Sequence, residues 1–341
     1  MLAPLRPAGA ALLAAALTAP LIAAAPAAAD PTAADQRAGR DASSWLGRQF
    51  VDGTHLQTTY DGNAYDDPGL TLDAVIAFAA SKSNRSRATA ALTWLSDGTR
   101  LAGYLGDGDT ESYVGAHAKL VLALQISGRS PYRYGERNVI GELIALQGNH
   151  GRFRDTSEWG DYANAFGQSL GTIALQRAGM TARAWRAAGY LATQACADGG
   201  VPITFSGATC SGDADATALA VQAFAAAGYT SKARTAANWL RANAVPSDNS
   251  NTAGLVAAAL ETAGGTANTQ AAATSRALIR HLQQGCSAPA GRRGAIAFMA
   301  GPFDKFAAPR ATAQAIVGLA GANLATLTAS GSTAGAAPMS C

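Results

Sequence analysis

Residues 234–243 read Arg-Thr-Ala-Ala-Asn-Trp-Leu-Arg-Ala-Asn, and near-copies recur as RDASSWLGRQ (40–49), RATAALTWLSD (87–97) and RAAGYLATQ (186–194). Each carries an aromatic–Leu pair on an apolar stripe, with Arg, Gln or Asn opposite it, the pattern of a helix lying on a core. Anchors fall in register at Leu46, Leu95, Ile144, Leu191, Leu240 and Leu282, separated by 49, 49, 47, 49 and 42 residues. Trp45, Trp94, Tyr190, Trp239 and His281 precede five of them. A turn bearing Gly and Asp follows each, then a second, Ala-rich stretch: LTLDAVIAF, AHAKLVLAL, GQSLGTIAL, DATALAVQAF, TAGLVAAAL and ATAQAIVGL. These align on Phe78, Leu124, Leu175, Phe224, Leu260 and Leu319 and are apolar on more than one face, as interior helices are. A fixed period of this length marks a repeat architecture in which each unit buries its apolar face against its neighbours. The period is long for an open solenoid. The expected fold is all-α: an α/α toroid of six helical hairpins, with six inner helices inside six outer ones.

Composition sets the bounds. The chain has 341 residues, 48% hydrophobic and 14% charged, which is globular rather than disordered. A net charge of +3, scattered along the sequence, excludes nucleic acid and anionic membrane surfaces as expected partners. Arg6, an apolar run from Ala8 broken by Pro20 and Pro26, and Ala27-Ala28-Ala29 before Asp30 read as a signal peptide over residues 1–29, with an uncleaved anchor as the competing reading. No other stretch is apolar enough to span a bilayer. The toroid is expected over residues 30–325, followed by a flexible Ser/Thr/Gly/Ala-rich tail over 326–341. The expected product is a secreted monomer.

Four cysteines in an exported chain point to two disulfides. Sequence permits three pairings. The expected one joins Cys196 to Cys210, closing a 15-residue loop, and Cys286 to Cys341, tethering the tail. The shorter loop contributes about 3 kcal/mol on a chain-entropy basis. No Cys-x-x-Cys or Cys-x-x-His pair occurs and the histidines are dispersed, so no metal or other cofactor is expected.

The segment Arg186 to Gln194, followed by Asp198-Gly199-Gly200, resembles the repeat of the prenyltransferase and squalene-cyclase superfamily, with Trp45-Leu46, Gln49 and Gly53 as a second partial copy. It departs at Val201, where the family repeat ends in Trp. The resemblance covers roughly residues 37–325 and implies the toroid fold. Asp213-Ala214-Asp215-Ala216-Thr217-Ala218 also resembles the Asp-x-Asp-Asp-Thr-Ala box of class II terpene cyclases, which implies Asp215 as a proton-donating acid assisted by Asp213. Ala216 stands where that family has its last Asp. The zinc of protein prenyltransferases and the thioester box of complement domains lack their residues here.

Inner helices begin after the Gly/Asp turns, so those turns gather at one end of the ring. They carry Asp66 and Asp67; Asp107, Asp109 and Glu111; Asp155, Glu158 and Asp161; Asp213 and Asp215; Asp248; and Asp304. Tyr60, Tyr65, Tyr104, Tyr113, Trp159 and Tyr162 share the same turns. Helix capping accounts for any single Asp there. Together they predict an acidic mouth, with Asp67, Asp107, Asp109, Glu111, Glu158, Trp159, Asp161, Tyr162 and Thr217 as candidate binding residues. The Asp107–Glu111 run lacks the full pattern of a calcium loop. The leading expectation is a binding protein that takes a small molecule, lipid or envelope partner at this mouth. The alternatives are a terpene-cyclase-like lyase or isomerase using Asp215, a carbohydrate-active enzyme with paired carboxylates, and a structural envelope protein whose ring is plugged.

Overall fold

The computed structural model describes residues 31–205 and 209–341. The expected signal peptide, residues 1–29, lies outside the described residues. The six hairpins appear where the anchors place them. The first pairs α1 (Ala33–Arg48) with α2 (Pro68–Ala80), and a β-hairpin of β1 (Gln57–Tyr60) and β2 (Asn63–Asp66) projects from the connection. The second pairs α3 (Arg85–Leu95) with α5 (Val114–Ile126) and holds an extra helix, α4 (Gly98–Leu105). The remaining pairs are α6 (Val139–Ala145) with α7 (Ala165–Arg177), α8 (Thr181–Gln194) with α9 (Ala214–Ala226), α10 (Thr230–Asn243) with α11 (Ser250–Ala263), and α12 (Thr266–Leu282) with α13 (Ala308–Leu319). The β-hairpin and α4 carry no repeat signal and were not expected.

The inner helices pack in the cyclic order α2, α5, α7, α9, α11, α13 and back to α2, and each outer helix lies chiefly on the inner helix of the preceding repeat: α1 on α13, α3 on α2, α6 on α5, α8 on α7, α10 on α9 and α12 on α11. The ring is therefore closed. Inner helices are buried around most of their circumference: in α5, Leu120, Val121, Leu122, Ala123 and Leu124 are consecutive and inaccessible. Outer helices bury one stripe, such as Ala184, Ala187, Ala188 and Leu191 of α8. Four of the five tryptophans sit on outer helices, one more than the repeat register accounts for, because Trp185 also lies on α8. Small residues let the inner helices touch. A methyl group on Gly254 of α11 would come within 2.3 Å of the Gln314 carbonyl oxygen of α13, and one on Gly318 within 2.5 Å of the Gly254 carbonyl oxygen.

Side-chain caps fix where four of the six inner helices start. Asp67 caps α2 ahead of Pro68, Asn164 caps α7, Asp213 caps α9 and Asn249 caps α11. A second device recurs one turn in. Thr71, Thr217 and Thr312 accept through Oγ1 from the backbone N–H of Leu56, Val201 and Ile296, and Gln168 accepts through Oε1 from that of Phe153. Each bond locks the preceding loop onto its helix.

The ring seam joins the first repeat to the last. Thr32 and Asp35 form a capping box at the start of α1. The buried Asp35 carboxylate then pairs with Arg280, and with Arg276 at 3.5 Å, on α12; Arg276 also reaches Glu261 of α11. Both expected disulfides form, Cys196–Cys210 and Cys286–Cys341.

Residues 326–341, expected to be flexible, are instead strapped to the ring. Ala329 N–H donates to the Ile126 carbonyl, Arg85 and Ser86 N–H donate to the Thr333 and Ala334 carbonyls, and Lys82 Nζ donates to the Thr328 carbonyl at 2.6 Å. Backbone groups satisfy this polar segment, which composition alone does not reveal. No described helix is long and apolar enough to cross a membrane.

Candidate functional site

All six inner helices open onto one central cavity of about 330 Å³, lined by Asp73, Ile76, Lys119, Phe166, Leu170, Asp215, Leu219, Asn251, Leu255, Arg310, Ala313, Gln314, Val317 and Leu324. The lining follows the repeat register. Counting back five residues from each inner-helix anchor gives Asp73, Lys119, Leu170, Leu219, Leu255 and Gln314, and every one faces the cavity. Nine back gives Gly69, Gly115, Phe166, Asp215, Asn251 and Arg310, four of which do. The layer nearer the helix N-termini is the mouth. The deeper layer passes into an aliphatic floor of Ile76, Val317 and Leu324. Leu324 closes the far end, donating its N–H to Gln222 Oε1 at 2.8 Å and accepting from Arg177 Nη1 at 2.9 Å. The ring is neither plugged nor an open tube, but a blind cup.

Its polar groups are arranged on two sides. On α2, α5 and α13, Asp73 Oδ1 lies 2.7 Å from Lys119 Nζ and Asp73 Oδ2 lies 3.4 Å from Arg310, which also reaches Asp67 at 3.0 Å. On α9 and α11, Asp215 Oδ2 accepts from Asn251 Nδ2 at 3.3 Å. Burial pushes the Asp215 carboxyl above the usual carboxylate range, the Asp213 charge adds to this, and hydrogen bonds from Thr252 and Asn251 oppose it. The cup thus holds an ion-paired carboxylate facing a carboxyl biased toward its neutral form.

The expected site residues divide sharply. Asp215 enters the cavity and Asp67 borders it through Arg310. Asp213 does not face it; its carboxylate accepts from Ala216 N–H and caps α9. Thr217 is fully buried and locks Val201, so it is no binding residue. Asp107 is occupied by its own loop, accepting from the N–H groups of Asp109, Thr110 and Glu111 and from the Thr110 hydroxyl, which hold its pKa well down. Glu111 accepts from the Ser157 hydroxyl and Glu158 N–H, tying the second repeat to the third. Asp161 pairs with Arg152 and Arg154. Asp109, Glu158, Trp159 and Tyr162 remain exposed on the rim.

Asp73, Lys119, Asn251 and Arg310 were missed by the reading of the turns. The available signal was a charged or amide side chain at a fixed position inside an otherwise apolar inner helix. Aligning the six copies at that position would have picked them out.

No protein-family model matches the chain, and a search of curated proteins returns no sequence match. Solved structures do resemble it in fold. An unsaturated glucuronyl hydrolase specific for heparin superposes with a TM-score of 0.60 at 12% identity, over 84% of this chain and 96% of that one. An α-1,6-mannanase of a Salegentibacter species, an inactive variant substituted at two adjacent aspartates and bound to α-1,6-mannotriose, superposes with a TM-score of 0.60 at 10% identity, over 84% and 99%. An ent-copalyl diphosphate synthase from Streptomyces platensis reaches a TM-score of only 0.30, over 85% of this chain and 50% of that one, too low to carry an argument. At these identities the likeness establishes an α/α toroid and not an activity.

Proposed function

We propose that the protein is an extracellular carbohydrate-active hydrolase that binds its saccharide across the ring mouth and cleaves it over the central cup. One observation carries this reading. Two carboxyl groups in contrasting environments, Asp215 half-buried beside Asn251 and Asp73 held between Lys119 and Arg310, stand on opposite inner helices of one cavity. Glycoside hydrolysis needs such a pair: a protonated acid for the leaving oxygen and a carboxylate for water or the anomeric carbon. Asp215 would give its proton to the glycosidic oxygen as the C–O bond breaks. Asp73 would take a proton from the water whose oxygen joins the anomeric carbon. Exposed aromatic rings on the rim suit the apolar faces of sugars, and the fold is shared with enzymes whose names describe saccharide hydrolysis.

The expected binding role at the mouth is thereby kept as the first step of a reaction. The aliphatic floor favours the cyclase alternative, but Phe166 is the sole aromatic among the lining residues, and carbocation chemistry draws on several π faces. The test is release of reducing ends from a panel of neutral, amino and acidic glycans by the mature protein. Cleavage of at least one class, lost in Asp215→Asn and in Asp73→Asn, supports the reading. Cleavage of none, or cleavage unchanged in both variants, overturns it.

A further inference from the structure

The mouth has a polarity and a symmetry that the cleavage reading does not use. The segments leading from outer to inner helices (49–67, 96–113, 146–164, 195–213, 244–249 and 283–307) hold fifteen Asp and Glu against six Lys and Arg. The segments at the opposite end (81–84, 127–133, 178–180, 227–229 and 264–265) hold no Asp or Glu against three Lys and Arg, while Glu136 and Arg137 lie on the mouth side, where Arg137 donates to the Gly106 carbonyl. A chain of positive net charge therefore concentrates its negative charge at one end. Hydrogen bonds to backbone N–H groups fix those carboxylates without neutralising them. Among the described residues Asp107, Asp109, Glu111 and Glu158 form no ion pair.

Exposed apolar side chains show the same bias. Of nine large ones, seven lie in the mouth segments: Tyr60, Tyr65, Trp159, Tyr162, Ile203, Met299 and Phe306. They form two walls. Tyr60 and Tyr65, 69% and 52% exposed, stand on one face of the β-hairpin, because Thr58 pairs with Tyr65 and Tyr60 lies two residues beyond Thr58. Phe306 precedes α13, the ring neighbour of α2. Trp159 and Tyr162, 73% and 69% exposed, precede α7, and Ile203 precedes α9. In the ring order α2 stands opposite α9, and α13 opposite α7, so the walls face each other across the cup. Only α5 separates α2 from α7 in the ring, so with neighbouring helices packing 8–10 Å apart the two aromatic pairs are carried by helices roughly 14–17 Å apart.

Building on the hydrolase reading, we infer that the substrate is a linear amino-sugar glycan carrying free ammonium groups, lying across the mouth from the Trp159–Tyr162 wall to the Tyr60–Tyr65 hairpin. Aromatic faces beside unpaired carboxylates are the recognition chemistry of an ammonium group on an apolar body. A polyuronate would meet repulsion along the whole rim. A neutral chain would satisfy the walls but not the charge. Cleavage over the cup, between two walls, makes the enzyme endo-acting.

The test measures binding to the full mature Asp215→Asn protein, so that hydrolysis does not intervene. The probes are a glucosamine hexamer, its fully N-acetylated counterpart, a galacturonate hexamer and a glucosamine dimer. The expected result is that the glucosamine hexamer binds about tenfold or more tighter than the N-acetylated one, loses that margin in high salt, and far outbinds the dimer, while the uronate does not bind. Tyr60→Ala with Tyr65→Ala, and separately Trp159→Ala with Tyr162→Ala, should each weaken the hexamer about tenfold. These side chains are exposed, so the fold survives their loss. Equal binding of the two glucosamine polymers, or tighter uronate binding, overturns the amino-sugar inference and leaves the hydrolase reading standing. Hexamer affinity unchanged in both wall variants overturns the crossing path. If no saccharide binds and the unsubstituted protein cleaves none, the reading beneath it fails as well.

Discussion

Asp213 and Asp215 are two residues apart, yet they do unlike work. Asp213 sits at the cap position, and its carboxylate belongs to the backbone of α9. Asp213→Ala should cost about 1 kcal/mol of stability, typical of a lost cap, and leave glycan cleavage per folded molecule within a few-fold. Chemical denaturation with a parallel activity assay separates the two effects. Asp215 lies within the first turn of α9 and faces the cup. Its raised pKa means that the folded state resists its ionisation, so this site makes folding less favourable as pH rises through that pKa. Asp215→Asn should therefore raise Tm at neutral pH while reducing hydrolysis by about 10²-fold or more. In the unsubstituted protein the rate should fall on the alkaline side, as the acid loses its proton. A lower Tm together with retained activity would assign Asp215 to structure alone.

At the scale of elements, close contact and cross-links hold the ring. Gly254 and Gly318 bring the α11 and α13 backbones together, and a methyl there has no room. Gly318→Ala should destabilise by about 1–3 kcal/mol, read from the urea midpoint, because α13 must shift. The two disulfides differ in loop length, with sequence separations of 14 and 55. Replacing Cys286 and Cys341 together by Ser should cost up to about 4 kcal/mol on the chain-entropy account, against about 3 for Cys196 and Cys210. Thermal unfolding of the two variants should rank them in that order. The longer link also anchors the strap that follows Leu324, the residue closing the cup, so its removal should loosen the cavity floor.

Across the whole molecule, the hairpin repeat and the placement of acids at one end were legible in the sequence, because helical periodicity and the order of outer and inner helices are carried by local patterns. The twelve anchors land on helices, from Leu46 in α1 to Leu319 in α13. The cup was less legible. Asp73, Lys119 and Arg310 lie far apart in sequence and meet only because the ring closes, through a seam ion pair between Asp35 and α12. The turn carboxylates looked like the site because they are numerous, but capping and loop closure occupy Asp67, Asp107 and Asp213. The strap escaped notice because polar, small residues satisfied by backbone hydrogen bonds leave no compositional trace.

The most direct test of the account is a crystal structure of the Asp215→Asn protein soaked with a glucosamine hexamer and, separately, with a mannohexaose. The account predicts a chain across the mouth, with a glycosidic oxygen within hydrogen-bonding distance of the side chain at position 215 and sugar faces on Trp159 or Tyr60. A saccharide bound only elsewhere on the surface, with the cup and its rim untouched, would contradict it.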